Sequence, residues 1–245
     1  MYTSFARCYD ALMHDVQYKK WALFYKLLLR QREIKKGARL LEIACGTGRI
    51  SEFLADDFCL SCLDASEEML SLCERRLSSK GKRARLIKGD MTELGFSETF
   101  DAVIISCDGL NYVLDEKALN KTLEGCNRAL KKGGILAFDI SSAYKLKNLL
   151  SGQSFFEQSE DYSYIWHNSE LENSVLELSL EVFYRNPGGG FDRIIEEQLQ
   201  RAWERADIEE GLNKNGFSDI RVFSDMSFEE PLDDELRLHF VAERI

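Results

Sequence analysis

The sequence predicts an α/β fold: a doubly wound, mostly parallel sheet of seven strands that carries a small antiparallel β insertion. Three observations lead there. Short apolar runs alternate with amphipathic helical segments from about residue 39 to residue 140, the pattern of a parallel sheet covered by helices on both faces. The first run, Leu40-Leu41-Glu42-Ile43, passes straight into a turn of small residues, Ala44-Cys45-Gly46-Thr47-Gly48. Such residues let a backbone turn sharply and come close to a ligand. After about Tyr144 the apolar period changes from helical to two, the mark of half-exposed antiparallel strands.

The elements follow in order. Trp21, Phe24, Leu27, Leu28 and Gln31 recur at helical spacing, with Lys and Arg on the other face, and Gly37 is expected to end that helix. Arg39 to Ala44 reads as a strand, followed by a helix to about Ala55. Cys59 to Leu63 is the next strand. Ser66 can cap the helix behind it, with Glu67 and Glu68 in the first turn and Gly81 near the end. Arg85 to Lys88 is a third strand, and Phe100 to Ser106 a fourth, whose continuous apolar run Ala102-Val103-Ile104-Ile105 is that of a strand buried on both faces. Leu119, Thr122, Leu123, Cys126 and Leu130 mark a helix closed by Gly133-Gly134, and Ile135 to Ile140 is a fifth strand.

Beyond it, Leu176, Leu178, Leu180, Val182 and Tyr184 alternate with Glu177, Ser179, Glu181 and Phe183. Asn186-Pro187-Gly188-Gly189-Gly190 is a turn, Arg193 to Trp203 the returning strand, and Tyr162 to His167 adds a third to the insertion. Asp207 to Asn215 returns to helix, and Asp219 to Phe223 and Leu238 to Arg244 complete the main sheet. The expected organisation is a ligand-binding domain over residues 1–143 and 207–245, with residues 1–36 as a helical N-terminal lid. Residues 144–206 form an antiparallel insertion over one end of the sheet.

Composition narrows the function classes. A net charge of −10 argues against a broad phosphate-tracking surface, which needs clustered Lys and Arg. The one dense basic run, Lys80-Gly81-Lys82-Arg83-Ala84-Arg85, reads as a solvated loop between helix and strand. The start lacks a basic region followed by an apolar run, and no stretch is long and apolar enough to span a bilayer. The seven cysteines are scattered. Cys59 and Cys62 sit three apart on one strand, so they point to opposite faces and cannot chelate one ion. No metal site is expected, and the cysteines read as reduced, small apolar residues of a cytoplasmic protein.

The chemistry gathers at strand ends, where ligands of doubly wound sheets bind. Glu42 ends the first strand and Asp64 the second; Asp90, followed by Met91, ends the third. An acid at the second position accepts hydrogen bonds from two ribose hydroxyls. Asp90 can accept from an adenine amino group, Met91 can offer its N–H and side chain to the ring, and Met69 and Leu70 can wall the pocket. Two cofactors suit such an adenosine-reading site. A dinucleotide needs the G-x-G-x-x-G turn at a helix N-terminus, but here the last position is Ser51, and Glu42 stands where a pyrophosphate would be repelled. A cationic amino-acid tail suits that acid better. S-adenosylmethionine has such a tail and a sulfonium cation.

At these residues the chain resembles the class I S-adenosylmethionine-dependent methyltransferases. The matching runs are Leu41-Glu42-Ile43-Ala44-Cys45-Gly46-Thr47-Gly48, Leu63-Asp64-Ala65-Ser66-Glu67-Glu68-Met69-Leu70, Lys88-Gly89-Asp90-Met91, Phe100-Asp101-Ala102-Val103 and Leu130-Lys131-Lys132-Gly133-Gly134. They agree in order and spacing over roughly residues 38 to 140. Ala44 departs from the family, which usually has its first glycine there. Phe5-Ala6-Arg7-Cys8-Tyr9-Asp10, Trp21 and Gln200-Arg201-Ala202-Trp203 look like a bacterial subgroup acting on small molecules, with an antiparallel insertion after the fifth strand. The resemblance implies a Rossmann-like sheet with an antiparallel last strand, S-adenosylmethionine as methyl donor and S-adenosylhomocysteine as product. It implies a cofactor site made by Tyr9, Trp21, Glu42, Ala44, Cys45, Gly46, Gly48, Asp64, Ala65, Met69, Asp90, Met91, Ser106 and Cys107.

The family's reaction is an in-line displacement of the sulfonium methyl by a substrate atom. The protein mainly aligns the nucleophile and, where needed, removes a proton, so no nucleophilic triad is expected. Ser106 to Tyr112 should line the methyl-transfer site; the run lacks the Pro-Pro-Tyr/Phe of amino-methylating nucleic-acid enzymes and the Pro-Cys of cytosine C5 enzymes. With the acidic charge, this favours a small-molecule acceptor over nucleic acid. Three residues are candidates at the acceptor. Asp108 can orient it or act as base, with a loop-capping carboxylate as the other reading. His167 is a candidate base by the chemistry of its imidazole but lies in the insertion. Arg201 can bind an acidic substrate or serve a structural ion pair. Tyr184 and Trp203 read as insertion core. A nicotinamide-dependent oxidoreductase and a non-catalytic cofactor-binding module remain as alternatives. The sequence permits a monomer or a homodimer.

Overall fold

The computed structural model describes residues 5–245. Residues 1–4 of the expected N-terminal lid lie outside them. Two helices open the described chain, α1 (Ala6–Leu12) and α2 (Tyr18–Gln31), followed by β1 (Arg39–Ile43), α3 (Ser51–Leu54), β2 (Cys59–Asp64), α4 (Glu67–Ser79), β3 (Arg85–Lys88) and β4 (Phe100–Ile105). Then come α5 (Glu116–Ala129), β5 (Leu130–Ser141) and α6 (Ala143–Lys145), and the insertion strands β6 (Ser154–Gln158), β7 (Tyr162–Asn168), β8 (Val175–Arg185) and β9 (Phe191–Arg201). The last elements are α7 (Arg205–Lys214), β10 (Phe217–Phe223) and β11 (Arg237–Arg244).

A seven-stranded sheet runs β10-β11-β5-β4-β1-β2-β3, and β6 to β9 form a separate four-stranded sheet. In the large sheet β11 runs antiparallel to both neighbours, while β1 pairs in parallel with β2 and β4. Period-two alternation explains why helices cover both faces. Leu41, Ile43, Val103, Ile105, Leu136 and Phe138 point to one core with residues of α5 and α7. Leu40, Ala102, Ile104, Ile135 and Ala137 point to the other, with residues of α2, α3 and α4. From β1 the chain proceeds outward to β3, then crosses back to β4 on the far side of β1. The switch point, where doubly wound sheets leave a crevice, therefore lies between β1 and β4.

Several expectations shift. The first helical segment is two helices; α2 buries Tyr18, Trp21, Ala22, Phe24, Tyr25, Leu28 and Leu29, whereas Leu27 is exposed. It stops at Gln31, and Glu33 takes a left-handed conformation (φ 61°) before Gly37 is reached. The α5 helix ends at Ala129, so Gly133-Gly134 do not close it. They sit in β5, where the register against β4 shifts between Phe100 and Ala102. The insertion has a fourth strand, β6, whose Phe155 and Phe156 are exposed; without a buried face it leaves no alternating pattern to read. Trp203 is fully buried in the main core, where its Nε1–H donates to Val113 O at 3.0 Å, rather than in the insertion. The Ser66 cap forms as expected, accepting from Met69 N at 3.2 Å.

The inner face of the small sheet packs on neighbouring helices. Tyr162, Val182 and Ile194 meet Phe5, Cys8 and Leu12 of the N-terminal segment. Leu176 and Leu178 meet Ala143, Leu146 and Leu150. Among the described residues no helix is long and apolar enough to cross a membrane.

Candidate functional site

A cleft of about 450 Å³ opens at the carboxyl ends of β1, β2 and β4, within the size range of small-molecule sites. It is lined by Tyr9, Ala44, Gly46, Asp64, Ala65, Met69, Asp90, Met91 and Cys107 of the expected set. A narrow extension of about 30 Å³ shares Tyr9, Ala44, Gly46 and Cys107 with it and adds Tyr18, Glu42, Cys45 and Ser106. Thus twelve of the fourteen expected cofactor residues line these two neighbouring spaces. The two others stand behind them. Trp21 is buried under the Arg237 guanidinium, 4.7 Å from its ring centroid, and edge-on to Tyr18. Gly48 touches helix α4: a Cβ there would stand 2.6 Å from Cys73 Sγ and 3.2 Å from Cys73 Cα.

Gly48 therefore serves packing, and its φ of +78° adds a second reason for glycine. Gly48→Ala is expected to destabilise the fold by about 2–4 kcal/mol, from the left-handed penalty and the overpacking together. Urea unfolding checks this; an unchanged midpoint would place Cys73 elsewhere. Gly46 differs. Its φ is +54°, and nothing lies within 4 Å of where a Cβ would point, so the backbone there is open to a ligand. Ala44 holds φ 54° without being glycine, a strained conformation at the floor of the cleft.

The acids at the strand ends have distinct environments. Asp64 is almost fully buried; its Oδ2 accepts from Gly46 N at 2.8 Å and its Oδ1 from Ser66 N at 2.9 Å. Burial pushes its carboxyl up, against the pull of these backbone N–H groups. A carboxylate offers about four lone-pair sites, so two remain for hydroxyls in the cleft. Asp90 Oδ1 accepts from Thr92 N and Thr92 Oγ1, at 2.7 and 2.8 Å. Glu42 is buried with Ser51 Oγ donating to it at 2.5 Å, and burial raises its carboxyl to about 8. An ammonium group in the narrow extension would favour its ionised form.

The N-terminal helix is latched over this turn by Asp10, which accepts from Thr47 Oγ1 at 2.7 Å and Arg49 Nε at 3.0 Å and pairs with Arg76. That latch sets Tyr9 against the cleft.

The three acceptor candidates do not converge. His167 lies on the outward face of β7, on the side opposite Tyr162, Tyr164 and Trp166, and bonds Ser154 Oγ at 2.8 Å. Strand parity removes it from the cleft. His167→Ala is expected to leave kcat within about twofold; steady-state rates on the identified acceptor check this. Arg201 is also not at the cleft. It stacks on Trp203 at 4.3 Å, and its Nη1 donates to Leu114 O at 2.9 Å. It braces the loop whose Val113 and Leu114 line the cleft, so neither substrate binding nor an ion pair describes it. Asp108 does not line the cleft either. It is in the left-handed region (φ 61°) and pairs with Arg237. Burial raises its carboxyl, but Arg237 and Lys145 outweigh that and hold it below the usual range, which suits an ion-pair partner and not a base.

Several site residues were missed by sequence reasoning. Tyr18, Thr92, Asp115 and Ala118 line the two spaces. Asp139 and Arg237 hold the Cys107–Asp108 turn from behind. Cys45, Cys62 and Cys73 converge beneath the glycine turn. The neighbouring Cys45 and Cys62 thiols favour the ionised form of Cys73 and hold it below the usual range. No spacing announces these groups, because each partner comes from a different element.

A doubly wound sheet with a cleft at its switch point, a buried acid, Asp64, beside an open glycine turn, and a buried glutamic acid, Glu42, at that turn is the arrangement expected from the sequence of an adenosine-binding protein. The comparisons make this specific. Residues 40–134 match the family model described as a methyltransferase domain. The Bacillus subtilis (strain 168) protein named "Putative methyltransferase YqeM" is 35% identical, with 100% of this chain and 97% of that protein covered. A crystal structure of a S-adenosylmethionine-dependent methyltransferase from Clostridium acetobutylicum superimposes with a TM-score of 0.90 at 30% identity, covering 99% of this chain and 98% of that one. The S-adenosylmethionine-bound CalS10, an amino pentose methyltransferase of Micromonospora echinaspora, shares the fold at a TM-score of 0.77 and 20% identity, covering 97% and 96%.

The chain belongs to the S-adenosylmethionine-dependent methyltransferases. Its cofactor is S-adenosylmethionine, and the oxidoreductase reading is displaced.

Proposed function

We propose that this methyltransferase acts on a small molecule inside the cell, and that the acceptor enters between the large sheet and the insertion. The observation that carries the reading is the cleft at the β1–β4 switch point, walled by Tyr9, Met91, Tyr112, Val113 and Leu114. These are apolar and aromatic surfaces of the kind that enclose small ligands. The net charge of −10 gives no basic track for a nucleic acid. CalS10, with the same fold, is named for a small sugar acceptor.

When bound, S-adenosylmethionine supplies a methyl group on a sulfonium, already a good leaving group. In this reading Asp64 accepts from the ribose hydroxyls. Asp90 and Met91 meet the adenine, and Glu42 with the Gly46 backbone holds the amino-acid tail. Ser106 and Cys107 border the tail, and Tyr9 closes over it. The residues 144–206 insertion and the N-terminal helices act as lid over a domain formed by residues 1–143 and 207–245. The contribution of the chain is alignment and exclusion of water. With Asp108 engaged by Arg237, no general base is assigned to it.

The test uses S-adenosylmethionine labelled on its methyl group, incubated with the protein and a bacterial extract separated into metabolite, RNA and protein fractions. Label in the metabolite fraction supports the reading, and label confined to RNA or protein overturns it. Cofactor binding without any transfer would favour the non-catalytic module.

A further inference from the structure

Three thiols from three separate elements meet under the floor of the narrow extension. Cys45 belongs to the turn after β1, Cys62 to β2 and Cys73 to α4. All three are buried, and their sulfur atoms lie within 4.8 Å of one another. We propose that this trio binds one soft, thiophilic metal ion, of zinc(II) or copper(I) type, which pins the glycine turn to β2 and α4.

The geometry suits such an ion. A metal–thiolate bond of about 2.3 Å in a tetrahedral site puts neighbouring sulfurs about 3.8 Å apart. The sulfurs therefore need to draw in by no more than about 1 Å. Three sulfurs and no nearby imidazole select soft metals over magnesium or calcium. Each coordinated thiol gives its proton to solvent as its sulfur bonds the ion. Oxygen donors stand next to the sulfurs: Ser51 Oγ is 3.5 Å from Cys62 Sγ, and Glu42 Oε2 is 4.0 Å from it. They can complete the coordination or orient the ligands. An entry path exists as well, because Cys45 lines the narrow extension of the cleft. Cys59 lies outside the cluster, exposed on the opposite side of β2, and serves as the internal control.

The inference is independent of the acceptor and of any methyl transfer. Its test titrates the reduced, chelator-stripped full chain with cadmium(II), following thiolate-to-metal charge-transfer absorption. The expected result is saturation at one ion per chain, unchanged in Cys59→Ser and weakened about tenfold or more in Cys62→Ala and in Cys73→Ala. Because those variants remove buried side chains, a second measurement uses the unaltered protein. X-ray absorption of the zinc-loaded chain should show three sulfur neighbours at about 2.3 Å. No charge-transfer band, a band abolished by Cys59→Ser, or zinc surrounded only by nitrogen and oxygen overturns the proposal.

Discussion

Asp64→Ala is expected to weaken binding of S-adenosylhomocysteine by about 2–3 kcal/mol, a roughly 30- to 150-fold rise in Kd. The reasoning starts from what Asp64 already does. Each of its oxygens accepts one backbone N–H, from Gly46 and from Ser66, which fixes the carboxylate plane and leaves one acceptor site per oxygen. Two hydroxyls meeting those sites make charge-assisted bonds, stronger than neutral ones. They form in a partly water-excluded cleft, where the field is less screened. Alanine removes both acceptors and also frees the Gly46 and Ser66 N–H groups. Asp64→Asn separates the two effects, since it keeps the shape and one acceptor oxygen. It should bind with intermediate affinity while unfolding near the wild-type midpoint. Calorimetric titration reads the result, and an unchanged Kd in Asp64→Ala would falsify the assignment of the ribose to this residue.

Asp139→Ala should lower stability by about 3–5 kcal/mol, the range for removing one partner of a buried, hydrogen-bonded ion pair. For a chain of this size that is a fall in Tm of about 6–20 °C. Asp139 is fully buried on β5. Its Oδ1 accepts from Tyr25 Oη at 2.8 Å and Cys107 N at 2.9 Å; its Oδ2 accepts from Asp108 N at 3.0 Å and from the Arg237 guanidinium. Four donors lose their acceptor at once, and two of them, the Cys107 and Asp108 amides, belong to residues in the left-handed region (φ 57° and 61°). The turn is held in that conformation by the carboxylate, so cofactor affinity should fall with stability, through Cys107 at the cleft. Arg237 keeps Asp108 as an ion-pair partner in Asp139→Ala, so adding Arg237→Met strands the Asp108 carboxylate and should lower stability further. Denaturant unfolding of the single and double variants measures the coupling. A single variant within 1 kcal/mol of wild type would mean the network carries no net stability.

How far the site was legible depended on the kind of signal each residue leaves. Glu42, Asp64 and Asp90 could be placed because they end strands, and a doubly wound sheet puts its ligands at strand ends whatever the details of packing. The Gly46 turn was legible for the same reason. The fate of His167 required the register of β7 against its neighbours, since a shift of one residue would have turned it inward. Arg201 sits at the end of β9, and only the packed position of Leu114 decided that its guanidinium would brace a loop. Asp108 stayed open between an acceptor-site role and a loop-capping carboxylate, because nothing in the sequence near it announces Arg237, which lies 129 residues away.

The sequence by itself determined the alternation of strands and helices, the acids at the strand ends and the change to an antiparallel insertion. Those are short-range properties: hydrophobic period, capping residues and turn chemistry act within a few residues of one another. The tertiary structure decided which polar groups meet. The Asp139–Arg237–Asp108 network, the Asp10 latch on the glycine turn and the Cys45–Cys62–Cys73 trio each join elements distant in the chain. Such meetings are fixed by how helices and strands pack around the sheet, and packing geometry is not written in any local window of residues.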